Sequence, residues 1–104
     1  MNTMMIYITA KNAEEAEAIG SALVEERLVA CVNIIEKVRS IYRWKGAIER
    51  ESEAVLIAKT KEPLVAQVIA RVKALHSYEV PCIEAIPIVN GHPAYLKWIC
   101  DETE

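Results

Sequence analysis

Two rhythms of apolar and polar positions alternate along the chain. Residues 4–9 form a short apolar run of strand character. Asn12 then stands as a helix cap, with Glu15 three residues later completing a capping-box pattern. Ala16, Ile19, Leu23 and Leu28 recur at helical spacing, and Glu14, Glu17, Glu25 and Glu26 fall on the opposite side. Residues 32–60 read as one long β-hairpin turning at Lys45-Gly46, because both arms are rich in Val, Ile, Tyr and Trp, and glycine second suits a tight turn with positive φ. That turn sets the expected pairs: Trp44 with Ala47, Tyr42 with Glu49, Ser40 with Glu51, Arg43 with Ile48, Arg39 with Ser52, Ile34 with Ile57 and Ile35 with Leu56. A bulge near residues 51–53 would shift the far pairs by one. Thr60 is the expected cap of the next helix, with Pro63 in its first turn and Leu64, Val68, Val72 and Leu75 as its apolar stripe. Residues 76–81 make a loop and residues 82–89 a last strand, which Pro87 confines to a sheet edge. Asn90-Gly91 turns the chain, and Pro93 opens a final helix carrying Tyr95 and Trp98 one helical step apart.

The resulting order, βαββαβ with a C-terminal helix, predicts a ferredoxin-like α+β sandwich spanning residues 1–104 as a single domain. Right-handed crossovers then give an antiparallel sheet ordered fourth, first, third, second, with both main helices on one face. The hairpin arms, roughly 13 residues each and about 40 Å long at ~3.3 Å per residue, outrun the short first strand. Residues 40–52 therefore project past the sheet with Ile41, Tyr42, Trp44 and Ile48 uncovered. Unpaired edges and rings of this kind are normally covered by another chain, so the expectation is an oligomer whose arms add strands to neighbouring sheets. The other rings agree: Tyr78 lies on the loop, and Tyr95 and Trp98 on the last helix, in places where interfaces are enriched in Tyr and Trp.

Composition narrows the class. A length of 104 residues, 53% hydrophobic, supports one domain with a real core, and a net charge of −3 gives no basic face for nucleic acid. No apolar run is long enough to span a bilayer, and the first residues lack signal-peptide character, so a cytoplasmic protein is expected. Cys31, Cys82 and Cys100 are odd in number and widely spaced, which suits reduced thiols. Enzyme readings find no support. The three glycines form no phosphate-cradling loop, the turn at residues 9–12 carries no arginine, and no nucleophile–base pair is evident. Ring-based RNA recognition is also excluded, since residues 54–60 hold no aromatic side chain.

The segments ERLVACVNI, SIYRWKGAIE, LIAKT, LHSYEVPCI and YLKWI resemble the CutA divalent-cation tolerance proteins over nearly the whole chain. The resemblance implies a compact trimer of ferredoxin-like fold, similar in shape to PII signal proteins, and a link to copper and other divalent cations without a known reaction. Cys31 occupies the family's cysteine position, and His76 the histidine of its His-Pro-Tyr loop, which here reads His76-Ser77-Tyr78. Ile8 and Leu75 replace a cysteine and a histidine found in some members, while Cys82 stands where an acid is common.

Cys31 and Cys82 are expected at opposite ends of the sheet, roughly 20 Å apart. His76 and Cys82, with Tyr78 and Glu79 nearby, could share a copper or zinc ion; the alternative for His76 is a helix-end cation, and for Cys31 a buried strand residue. Arg39, Arg43, Lys45, Glu49, Glu51 and Glu53 read either as solvated or intersubunit ion pairs or as the lining of a pocket between subunits for a small anion or metal complex, with Lys59 as part of it. Tyr42, Trp44, Tyr78 and Trp98 complete the candidate interface. A PII-like scaffold with an interfacial small-ligand site and no metal role is the alternative to metal homeostasis.

Overall fold

A computed structural model describes residues 2–104. Four strands, β1 (Thr3–Ala10), β2 (Cys31–Trp44), β3 (Ala47–Lys61) and β4 (Ile83–Pro87), and three helices, α1 (Ala13–Glu25), α2 (Val65–Leu75) and α3 (Pro93–Asp101), follow the expected order. The sheet runs β2-β3-β1-β4 with every neighbour antiparallel, which is the ferredoxin-like arrangement. One face carries Ile6, Ile8, Leu56 and Ala58, all buried against Ile19 and Leu23 of α1 and Val68 and Val72 of α2. Strand alternation puts Tyr7, Val55, Ile57 and Lys59 on the other face, where α3 covers only one end and buries Ile99.

Local chemistry explains most boundaries. The Asn12 side chain accepts from the Glu15 N–H at 2.9 Å, and the Glu15 carboxylate reaches back to the Lys11 N–H, also at 2.9 Å. Helix α1 ends in a Schellman arrangement: Leu28 N–H bonds Leu23 O and Arg27 N–H bonds Val24 O, with Arg27 at φ 59° in the position glycine usually takes. Thr60 does not cap the next helix. It stays inside β3, fully buried, and its hydroxyl donates to Leu28 O at 2.7 Å, so that a 3-10 turn at Glu62–Leu64 intervenes and α2 starts without a side-chain cap. Strand β4 is shorter than residues 82–89. Pro87, which lacks an N–H, is its last rung, and it lies on the sheet edge beside β1.

The hairpin confirms its upper register and corrects its lower one. Lys45 (φ 49°) and Gly46 (φ 84°) make the two-residue turn, and every pair from Trp44–Ala47 to Val38–Glu53 stands opposite as counted from it. A Cβ on Gly46 would meet nothing within 4 Å, so backbone conformation alone selects glycine there. Between Val38 and Ile35 the register slips by one, with Glu36 and Lys37 facing only Ala54. Ile34 therefore pairs with Leu56 and Ile35 with Val55, and the bulge lies on β2 rather than near residues 51–53.

Because β1 ends opposite Ala54, the hairpin beyond that rung is a free two-stranded arm. It stretches the molecule to 44 × 25 × 22 Å and leaves Ile41 65% and Ile48 57% exposed.

Candidate functional site

Alternation along the arm gathers Val38, Ser40, Tyr42 and Trp44 of β2 with Glu49, Glu51 and Glu53 of β3 on a single face. The loop that follows α2 folds against this face and closes a groove of about 630 Å³, lined chiefly by Tyr42, Trp44, Glu53, Tyr78, Val80 and Cys82. That volume lies within the ordinary range of small-molecule sites. No basic side chain lines it among the described residues.

Glu53 is the most unusual member. It is only 7% exposed, although it neighbours two other carboxylates on its strand. The Tyr78 hydroxyl donates to its Oε2 at 2.6 Å, while Oε1 accepts from no donor among the described residues. No buried side-chain oxygen is left sealed without a partner among those residues, so Oε1 opens on the groove. No lysine, arginine or histidine forms an ion pair with it there either. Burial, then the hydrogen bond and charge of Glu53, push the Tyr78 phenol far up, so it stays a donor across the physiological range. Desolvation, followed by the carboxylates of Glu51, Glu53 and Glu49, also raises Tyr42.

The loop is pinned from below. His76 Nδ1 accepts from the Tyr78 N–H at 3.1 Å, which leaves the ring proton on Nε2, donated to Thr9 O at 2.6 Å. The His76 and Tyr78 rings lie 4.7 Å apart, tilted by 51°. Glu15 Oε2 takes the Ser77 N–H at 2.9 Å, tying the loop to the start of α1. Burial would raise the Glu15 carboxyl, but the hydrogen bonds from Lys11 and Ser77 hold it below its ordinary 4.5. A carboxylate lowered by folding stabilises the protein above its unfolded value, and loses that contribution as pH falls through the folded one. Glu15→Gln is thus expected to unfold at lower urea than the parent at neutral pH, with the two midpoints converging as pH is taken below 4.5. Midpoints that stay apart throughout the acid limb would rule the loop anchor out.

The remaining sequence candidates are placed as follows. Cys82 lies in the groove, its Sγ 3.7 Å from Glu84 Oε1, and burial, then the Glu84 charge, pushes its thiol up. Cys31 sits at the far end of β2 with its Sγ 3.5 Å from the Tyr95 hydroxyl. That contact, with burial second, raises Tyr95 to about 12. Four rungs along β1 and three strand spacings separate the levels of Cys31 and Cys82, about 20 Å in all. Trp98 stacks on Tyr95 at 5.5 Å, away from the groove. Lys59 is likewise outside it, donating to Asn33 Oδ1 at 3.0 Å opposite Cys31. Glu49 shares the arm's face without lining the groove. Lys45 bridges to Glu79 at 3.7 Å over the Trp44 ring.

As donors for a divalent ion within one chain, these residues fit poorly. Both His76 nitrogens are engaged, the Cys82 thiol is held protonated by its surroundings, and no group of three or more His, Cys, Asp or Glu gathers among the described residues. Thr9 was not among the residues the sequence singled out, and Glu53 appeared there only within a charged set that reads either as ion pairs or as a pocket lining. Its burial had no local signal, since the ring that covers it comes from a loop 25 residues away.

Residues 4–102 match the family model of the CutA1 divalent ion tolerance protein. The divalent-cation tolerance protein CutA of Archaeoglobus fulgidus is 50% identical over 98 residues, covering 94% of each chain. Protein CutA of Mus musculus is 43% identical over 98 residues, 94% of this chain but 55% of the mouse protein, so the chain spans about half the length of that curated relative. Among solved structures, the divalent cation tolerance protein of Thermus thermophilus superposes with a TM-score of 0.95 at 44% identity, covering 98% of this chain and 99% of that one.

Proposed function

The chain belongs to the CutA1 divalent ion tolerance family, and on that premise we propose that it serves divalent-cation tolerance as a cytoplasmic homotrimer of PII-like build, binding a ligand in the arm–loop groove rather than catalysing a reaction. The observation that carries this reading is the overhanging arm. It walls the groove with Tyr42 and Trp44 while its outer face leaves Ile41 and Ile48 bare, and β2 is an open sheet edge along its whole length. Fourteen residues of unpaired strand edge call for a second chain. Ile35 (47% exposed) and Ile86 (46%), on the sheet face away from α1 and α2, extend the uncovered apolar surface. No helix is long and apolar enough to cross a membrane. Three free cysteines suit a reducing compartment, although a relative's name includes the word chloroplastic and another's the word periplasmic. Relatives are named for tolerance and not for a reaction, in keeping with a binding role.

Sedimentation equilibrium at micromolar concentration tests the assembly. The parent is expected at three times the chain mass, and an Ile41→Lys, Ile48→Lys double variant at one; a monomeric parent overturns the proposal.

A second reading, direct binding of copper or another divalent cation, is favoured by one contact. His76 and Cys82 both lie beside Thr9, the first through its contact with Thr9 O and the second as its neighbour across the β1–β4 edge in the groove lining. The imidazole would have to release a partner to become a ligand, with Cys31 joining only from another chain. Sub-micromolar copper or zinc binding that falls in His76→Ala and Cys82→Ala would support it, and unchanged binding in both would not.

A further inference from the structure

The proposed function leaves the ligand's chemistry open, and the groove itself narrows it. A carboxylate taken out of water is stable only with a cation or several donors around it. Glu53 is 7% exposed and has one neutral donor, the Tyr78 hydroxyl, while its other oxygen faces the groove with no cationic partner among the described residues. The walls around that oxygen are aromatic. Tyr42 and Trp44 approach from the arm and Tyr78 from the loop, and Tyr42 and Trp44 are each 38% exposed toward solvent. Ring faces attract cations, most strongly organic ones whose weak hydration lets them leave water. A bare divalent ion would instead demand several oxygen, nitrogen or sulfur ligands, which this groove does not converge. An anion would meet Glu53 at the groove's base, and the nearby Lys45 ammonium, over the Trp44 ring, is already paired with Glu79 at 3.7 Å.

Resting on the reading of the groove as the binding site, we propose that it takes a small organic cation, with an ammonium group against Glu53 Oε1 and an apolar body packed on Tyr42, Trp44 and Tyr78. The surrounding carboxylates Glu49 and Glu51 add to the local negative potential that draws such a ligand in.

The test is calorimetric titration of the assembled protein with phenethylammonium, its neutral counterpart 2-phenylethanol, the anion 3-phenylpropanoate, and zinc chloride. Saturable binding of the ammonium is expected, at least about tenfold tighter than the alcohol, with no heat from the carboxylate. Glu53→Gln keeps the side chain's size and an acceptor for Tyr78, and is expected to reduce ammonium affinity at least about tenfold while leaving sedimentation unchanged. Trp44→Leu should weaken the ammonium several-fold and the alcohol comparably. Equal affinity for ammonium and alcohol, or undiminished binding by Glu53→Gln, overturns the proposal. Binding of the carboxylate or zinc alone, lost in Trp44→Leu, overturns the ligand class but leaves the groove as the site. No heat from any probe, together with loss of the trimer in Glu53→Gln, means that a basic side chain of a second copy fills the groove, which overturns the proposal and keeps the assembly. A protein that is monomeric and binds nothing overturns both.

Discussion

A Leu56→Ala variant is expected to lose about 2–5 kcal/mol of unfolding free energy. Leu56 is completely buried in the middle of β3, with Ile8 on one side of it in the ladder and Ile34 on the other. Its Cδ2 lies 3.6 Å from where a Cβ on Gly20 would stand, so it fills the hollow that this glycine leaves on α1. Truncation removes the apolar contact and opens a cavity between two rigid elements, neither of which can collapse into it, since β3 is held on both sides by backbone hydrogen bonds. For a domain of this size the loss corresponds to a fall in Tm of at least about 10 °C at fixed protein concentration. A fall of only a degree or two would mean that α1 does not pack on the sheet as described.

Tyr78→Phe is expected to cost about 1–3 kcal/mol, more than most substitutions in loops. Removing the hydroxyl changes almost no volume. It does strip the buried Glu53 carboxylate of the one donor it has among the described residues, at 2.6 Å. A charge-assisted bond of that length is among the stronger kinds, and what remains is a desolvated charge without a partner. The variant should therefore unfold at lower temperature, and Glu53→Gln in the same chain should recover part of the loss, because a neutral amide tolerates the missing donor better. Non-additivity in that double-mutant cycle is the readout; two independent, additive losses would show that the pair does not interact.

How far the sequence disclosed all this depended on which signals were local. The turn at Lys45-Gly46 and the rungs up to Val38–Glu53 were legible because a two-residue loop fixes pairing by counting and alternation carries it along the arm. Below that point the count failed. Glu36 and Lys37 are charged residues that suit any exposed edge strand, and nothing in their identity marks a bulge. Thr60 looked like a cap since threonine before a proline-containing turn usually is one; its hydroxyl went instead to Leu28 O, a partner 32 residues away that no short window contains. At the site, loop length allowed His76 and Cys82 to meet but said nothing of the engagement of both ring nitrogens, because Thr9 O belongs to a strand 67 residues earlier. Lys59 was assigned to a pocket from its position near the hairpin base, whereas the groove formed at the opposite end of β3. Glu53 read as one of six charged residues that were either ion-paired or lining a pocket, and its burial beneath Tyr78 was not legible from the strand alone.

The extra residue at Glu36–Lys37 has a consequence of its own. An inserted residue bends its strand and tightens the local twist, so it decides the angle at which the arm leans over the 76–82 loop. Deleting Lys37 would restore an unbroken ladder, with every rung above and below keeping its present partner and no core side chain disturbed. The arm would nevertheless straighten, swinging Trp44 away from Val80. A single lost codon would thus reshape the proposed groove while leaving the scaffold's folding intact.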